Sequence, residues 1–420
     1  MKKFLVFILS VFILLASFNM VALADDDEIF TDEQIKYYAD LGLQGTTVNV
    51  YNWGEYISDG TEDSMDVVSE FQRLTGARVN YTNYESNENM YSKLSGGGVS
   101  YDVIVPSDYM IGRLIEEDML VKLDWENIPN LKYIAPQYQN LYFDPEQEYS
   151  ICYNVGTTVI IYNTALVDEE PTSWKILWDE KYKDKILMFN NSRDAFAIAQ
   201  SILGQNFNST DESDWNEAAL LLAQQKDAVN PVYVMDEIFN LMESGEYAFA
   251  TYYAGDYVLM CENNPDLDYC FPEEGVNIFY DAFCIPNCVQ NKKGAEAFIN
   301  FMHEPQVALA NAEFIYYASP NEAVFNNEEY ALFEDETVYP EVMPEGQYFE
   351  NLPQNILELQ ADLWTSVKSG QLSVESAERN KRIYFASGVL AGIVICFSVY
   401  KVISDSKKRK FEDLSDLYGN

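Results

Sequence analysis

The stretch "VYNWGEYI", residues 50–57, decides how this chain is read. Just before it, Val48 and Val50 alternate with polar neighbours over residues 46–52, the two-residue period of a strand with one buried face. Trp53, Glu55 and Tyr56 then crowd the strand's end. Residues 63–75 place Val67, Val68, Phe71 and Leu74 on one helical face, closed by Gly76. Residues 77–81 predict a second strand, and residues 87–94 a short helix stopped by Gly96, Gly97 and Gly98. "YDVIV", residues 101–105, predicts a third strand, apolar enough to be central. The order βαβαβ implies a mostly parallel sheet in an α/β fold. The glycine triplet precedes a strand instead of opening a helix, so it is not a dinucleotide-binding loop.

The pattern restarts after Cys152. "TTVIIYN" (157–163) reads as a strand, residues 174–182 as helical, and "KILMFN" (185–190) as a strand followed by Asn191, Ser192, Arg193 and Asp194. Helices are expected over 195–203, 214–225 and 235–244. "YAFATYYAGD" (247–256) is a strand with a polar end, and "VNIFYDAFCIP" (276–286) a strand pair or crossover. Further helices fall near 293–303 and 305–313, and the last of the α/β part ends near Ser369 and Gly370. No internal repeat or low-complexity tract interrupts this. Two α/β lobes, with the chain crossing between them more than once, follow from the pattern.

With 420 residues the chain is long enough for two or three domains with sizeable cores. Its 68 Asp and Glu against 26 Lys and Arg give a net charge of −42. Such a surface repels nucleic acid and anionic lipid, which excludes both as partners of the main domain. The N-terminus reads MKK, then an apolar run from residue 4 to 23 and Ala22-Leu23-Ala24, the form of a secretory signal peptide over residues 1–24. A second apolar run, residues 383–400, extends to Ile403. At ~1.5 Å per residue it approaches the ~30 Å of a bilayer's hydrocarbon core and predicts a transmembrane helix. Lys407, Lys408, Arg409 and Lys410 follow it, consistent with a cytoplasmic tail. Of six cysteines, Cys396 lies in that span, while Cys261 with Cys270 and Cys284 with Cys288 are candidate disulfide pairs. A single histidine, His303, and no CxxC argue against a zinc site and against Ser-His-Asp chemistry; no metal or cofactor is expected.

Ligands of parallel sheets bind beyond the carboxyl ends of the strands. The residues at those ends are Trp53, Glu55 and Tyr56; Ser107, Asp108 and Tyr109; Asn191 and Asp194; Tyr253 and Asp256; and Phe279 and Asp281 near the crossover. Aromatic and carboxylate recur together. Aromatic faces attract ammonium groups and pack on methylenes, and carboxylates pair with ammonium. An alkyl chain with positive ends needs this combination.

"VYNWGEYI", "YESNENMYSKL", "YDVIVPSDYMI", "GTTVIIYN", "TSWKILWDEKYKDKI", "AGD" and "AEFIYYASPN" run in order over residues 47–371. Together they resemble the periplasmic spermidine/putrescine-binding proteins of bacterial ABC transporters. The resemblance implies a two-lobed periplasmic-binding-protein-like fold with a ligand cleft between lobes: lobe 1 from 47–155 and 280–324, lobe 2 from 156–279 and 325–371. Residues 25–46 would be an acidic spacer, 372–382 a linker, 383–403 the membrane helix and 404–420 the tail. By resemblance Trp53, Tyr109, Tyr253, Phe279 and Tyr317 form aromatic walls, Glu55, Asp194, Asp256 and Asp281 hold ammonium groups, and Ser107 and Tyr56 add hydrogen bonds. Asn191 stands where spermidine-type members often carry Asp, and Tyr253 where they carry Trp. Asp256 fits the putrescine-type pattern, and Glu350 aligns loosely with a glutamine contact. These departures leave the choice between putrescine and spermidine open, leaning to putrescine. No lipobox cysteine follows the leader.

The expected function is capture of a polyamine by lobe closure and delivery to an ABC permease, at the outer face of the plasma membrane. An extracellular carbohydrate-active enzyme also pairs carboxylates with aromatic platforms, but these acids are spread over several strands and suit several ammonium groups better than one scissile bond. A binding protein for another small solute, or a polyamine sensor acting through the span, are the remaining alternatives.

Overall fold

The computed structural model describes residues 29–373 apart from 329, 331, 333, 334 and 341–343. Its strands are β1 (Thr47–Trp53), β2 (Arg78–Tyr84), β3 (Val103–Ile104), β4 (Ser150–Asn163), β5 (Ile186–Phe189), β6 (Val232–Val234), β7 (Phe249–Tyr253), β8 (Leu267–Cys270), β9 (Val276–Cys284) and β10 (Gly346–Gln347). The chain divides into two units. Among the described residues, the first holds 29–107, 111–155 and 280–335; the second holds 108–110, 156–279 and 336–373. Two of the crossings therefore fall inside strands, at 155/156 in β4 and 279/280 in β9.

In the first unit β1 pairs in parallel with β2 on one side, Val50 opposite Tyr81, and with β3 on the other, Val50 opposite Val103. β3 runs antiparallel to β9 through Ile104 and Cys284. Val48 and Val50 are fully buried, as their alternation predicts. The helix Val67–Thr75 starts late in the expected range because Asp66 caps it, accepting from the Ser69 N–H, and it ends at Gly76 with φ 68°, a left-handed position that suits glycine. Its Phe71 meets Phe298 of the helix Lys292–Met302 edge-on at 5.2 Å.

The first correction concerns residues 25–46, expected as a spacer. Residues 29–46 are part of the first unit. The helix Asp32–Asp40 opens with a capping box between Thr31 and Gln34. Phe30 stacks on Phe301 at 5.6 Å, and the buried Tyr38 hydroxyl donates to Glu304 at 2.7 Å. Acidic composition hid this because Phe30, Tyr38 and Leu43 are the only buried hydrophobic residues among the described residues of the segment.

In the second unit β7 pairs antiparallel with β4 and parallel with β5, and β5 parallel with β6. β8 lies antiparallel to β4, and β10 parallel to β9. The helices Ser192–Leu203, Glu212–Val229 and Gln354–Ser369 share a core in which Phe196 lies 5.4 Å from Trp215 and 6.3 Å from Trp364. Residues 174–182, expected to be helical, form two 3-10 turns, Trp174–Trp178 and Glu180–Tyr182, each opened by a side-chain cap, Ser173 and Asp179. "AGD" does not end a strand but opens the helix Ala254–Asn263. None of the described cysteines, Cys261, Cys270, Cys284 and Cys288 included, is in a disulfide. The leader and the span at residues 383–403 lie outside the described residues; among the described residues no helix is long and apolar enough to cross a membrane.

One close approach fixes a ring in the second unit. A Cβ placed on Gly156 would come within 2.3 Å of Phe279 Cζ, so the ring of Phe279 lies directly on the Gly156 backbone. Gly156→Ala is expected to overpack this contact and destabilise the protein by about 1–3 kcal/mol in urea unfolding. In a Phe279→Leu background, which removes the ring, the same alanine should cost far less. An equal cost in both backgrounds would refute the contact's role.

Candidate ligand-binding site

In the first unit the strand ends converge on Asp281. Ser107 and Asp281 form an antiparallel bridge, and the Ala282 N–H donates to the Pro106 carbonyl at 3.1 Å, so the segment after β3 is tied to β9. Asp281 is only 4 % exposed. The Tyr56 hydroxyl donates to its Oδ2 at 2.7 Å. Its Oδ1 is buried with no hydrogen-bond partner among the described residues, and no Lys or Arg among them pairs with it. Burial pushes the carboxyl up to about 6, against the opposing pull of Ser107 and Tyr56.

Tyrosines surround this carboxyl. Burial first, and the Asp281 charge with it, raise the phenols of Tyr56, Tyr84 and Tyr153 well above the ordinary tyrosine range, so all three stay neutral. Tyr153 donates to the Tyr56 carbonyl at 3.0 Å, and Tyr317 meets the Tyr56 ring edge-on at 5.3 Å. Trp53 is fixed by its indole N–H, which donates to the Val105 carbonyl at 2.8 Å, and by Tyr84, 4.6 Å from its ring. Tyr84 donates to the same carbonyl at 2.6 Å. Ser107 accepts from the Asn87 amide at 3.1 Å. Glu55 sits differently: it is exposed, in a left-handed turn position with φ 46°, and its carboxylate adds to the burial that raises the Tyr81 phenol.

In the second unit Asn191, Asp194, Tyr253 and Phe279 come together. Asn191 is the N-cap of the helix Ser192–Leu203, accepting from the Arg193 N–H at 3.0 Å, so capping falls to Asn191 and leaves Asp194 to other partners. Asp194 accepts from the Tyr253 hydroxyl at 3.0 Å and from the Asn277 amide at 3.5 Å. Tyr253 meets Phe279 edge-on at 5.3 Å. Tyr109 joins through Arg193, whose guanidinium lies 5.7 Å from the Tyr109 ring and 4.6 Å from that of Phe349. Asp256 stands one ring away, in the first turn of the helix Ala254–Asn263, where its charge adds to the burial that raises the Tyr252 phenol. Tyr252 in turn lies 4.9 Å from Tyr253.

Sequence reading did not name Tyr84, Tyr153, Asn87, Arg193 or Asn277 as part of either face. Arg193 adjoins Asp194, and Asn277 precedes Phe279 by the two-residue strand period, so both carried a usable signal. Two cavities of about 420 and 400 Å³, lined around Asp168–Tyr182 and around Gly45–Arg78, contain none of the candidate residues. His303 is buried, and burial pushes its imidazole down to about 3, so it stays neutral near pH 7.

The two faces can neutralise positive charge and cover methylenes. The family described as bacterial extracellular solute-binding protein matches residues 100–334. A spermidine/putrescine-binding periplasmic protein of Escherichia coli is 33% identical over 301 residues, covering 70% of this chain and 83% of that protein. A putrescine-binding periplasmic protein of the same organism is 26% identical over 352 residues, covering 79% and 94%. The solved structure of a putative spermidine/putrescine ABC transporter protein from Listeria monocytogenes is 32% identical with a TM-score of 0.73, covering 77% of this chain and 99% of that one. Matched over more than half its length by the family and aligned to a one-third identical relative across most of that relative, the chain belongs to the bacterial extracellular solute-binding proteins.

Proposed function

We propose that this chain is an extracytoplasmic solute-binding protein that captures a polyamine, putrescine or spermidine, by lobe closure and delivers it to an ABC permease. The observation that carries the reading is the buried Asp281 carboxylate, with one oxygen held by Tyr56 and the other unfilled, in a ring of neutral aromatics. An ammonium group supplies what that oxygen lacks: positive charge and N–H donors in one compact head. Aromatic faces at Trp53, Tyr56 and Tyr317 suit the methylenes behind it and the cation itself. Asp194 and Asp256, with Tyr253, Phe279 and Tyr109, offer the second unit's groups for a further ammonium, Asn191 and Ser107 adding polar contacts. Glu55 is assigned a solvent-side role, since it is exposed. Asp256, with the departures at Asn191 and Tyr253 from the spermidine-type pattern, leans the reading toward putrescine and leaves the choice open. The leader supports export, and the apolar residues 383–403 support an anchor at the outer face of the membrane.

Titration calorimetry with putrescine and spermidine tests the ligand class: binding at micromolar concentration or tighter supports it, and silence with both polyamines ends it. Asp281→Asn should weaken polyamine binding roughly 30-fold or more, because the bound ammonium would face an uncharged partner in a site shielded from water. The pH dependence follows from the raised carboxyl. The ligand stays protonated throughout, while Asp281 protonates below about pH 6. Affinity should be flat above pH 7 and fall below pH 6, approaching tenfold per unit, with proton release on binding there; a flat profile from pH 7.5 to 5 would exclude Asp281 as the ammonium partner.

The same group sets a stability trend. A folded-state pKa of about 6 against an ordinary 3.8 means that its contribution to folding is most favourable below pH 4 and is lost as pH rises through 6. At neutral pH the lone anion costs about 3 kcal/mol in the ligand-free protein. Asp281→Asn should therefore melt higher than the parent at pH 7.5 without ligand, the gap closing towards pH 4. A variant that melts lower at pH 7.5 would contradict this. Removal of residues 383–420 should move the protein from the membrane fraction to the soluble extracytoplasmic fraction; unchanged membrane association would refute the anchor.

A further inference from the structure

We infer that Asn277 is a ligand-contacting residue in the second unit, its side-chain oxygen accepting a hydrogen bond from the ammonium group beside Asp194. This rests on the reading of Asp194 and Tyr253 as polyamine-binding. Asn277 lies in β9, where Val276 and Ile278 point into the unit's apolar core and the two-residue period turns Asn277 to the same face as Phe279. Its immediate neighbours Val276 and Ile278 are apolar, as is Phe279 on its own face. The amide is 4 % exposed. Its backbone N–H donates to the Thr158 hydroxyl at 3.1 Å.

The side chain has one satisfied end and one open end. A carboxylate only accepts, so the Nδ2 group faces Asp194 Oδ1, at 3.5 Å. The oxygen Oδ1 therefore turns away from the carboxylate, and it is buried with no hydrogen-bond partner among the described residues. A buried amide oxygen left without a donor is destabilising unless something fills the vacancy. Its amide partner Asp194 accepts from the Tyr253 hydroxyl, and Tyr253 meets Phe279 edge-on, so Asn277 joins the anionic, phenolic and aromatic members of the candidate face. An ammonium head held by Asp194 has three donors, and one carboxylate uses only part of them. Asn277 supplies a neutral acceptor without adding a second negative charge, which would repel Asp194 in the empty protein.

The test compares the full-length protein with Asn277→Leu, which keeps the volume and removes the acceptor, and Asn277→Ser, which shortens the side chain if leucine prevents folding. Asp194→Asn is the reference. Putrescine and spermidine are titrated calorimetrically, and ligand-free melting temperature is read in parallel. About a tenfold loss of affinity in either Asn277 variant, with the ligand-free melting temperature within a few degrees of the parent, supports the assignment. Unchanged affinity in both variants, or a lowered melting temperature with unchanged affinity, overturns it and leaves Asn277 a structural amide. Parental binding of the polyamines and its weakening in Asp194→Asn test the underlying reading separately. Binding that survives in the Asn277 variants but fails in Asp194→Asn removes this residue alone.

Discussion

A carboxylate shut away from water keeps its charge only where something replaces the lost solvation, and Asp281 is given half of that replacement. Tyr56 satisfies Oδ2, while Oδ1 has no donor among the described residues. In the proposed function a cation arriving from outside completes the arrangement.

The rest of the first unit serves that carboxyl. β9 carries Asp281 past the end of β3, and the backbone bridge to Ser107 fixes its place. Trp53 and Tyr84 share the Val105 carbonyl as acceptor, so two rings are locked by one backbone group. Tyr153 holds the Tyr56 carbonyl, which in turn aims the Tyr56 hydroxyl. The rings are therefore held in place by the fold itself. In the second unit the same logic operates through Asn191, which takes over the capping of its helix, and through the Phe279 ring seated on Gly156.

Much of this was legible in the sequence because the information is local. Val48 and Val50, Phe71 and Leu74, and the "YDVIV" run report their faces through periodicity, and strand ends mark themselves by a change from apolar to polar and aromatic residues. The aromatic-carboxylate recurrence pointed to Asp281, Asp194 and Tyr253 for the same reason. What stayed hidden depends on partners far along the chain. Tyr84 and Tyr153 fall outside the strands that the sequence predicts, and only the fold brings them to a carboxyl at position 281. The helix Asp32–Asp40 reads as solvated because its docking rests on Phe30 and Tyr38 meeting Phe301 and Glu304. Its acidic first turn is a capping signal as much as a spacer signal. β4 begins at Ser150, earlier than "TTVIIYN", because its first half belongs to the other unit and lacks a turn to announce it.

The central claim concerns one oxygen atom, so a crystal structure of the protein grown with putrescine tests it most directly. The account predicts an ammonium nitrogen within about 3 Å of Asp281 Oδ1, with Tyr56 still bound to Oδ2. Finding Oδ1 capped by a protein donor or an ordered water, with the diamine bound elsewhere, would contradict it.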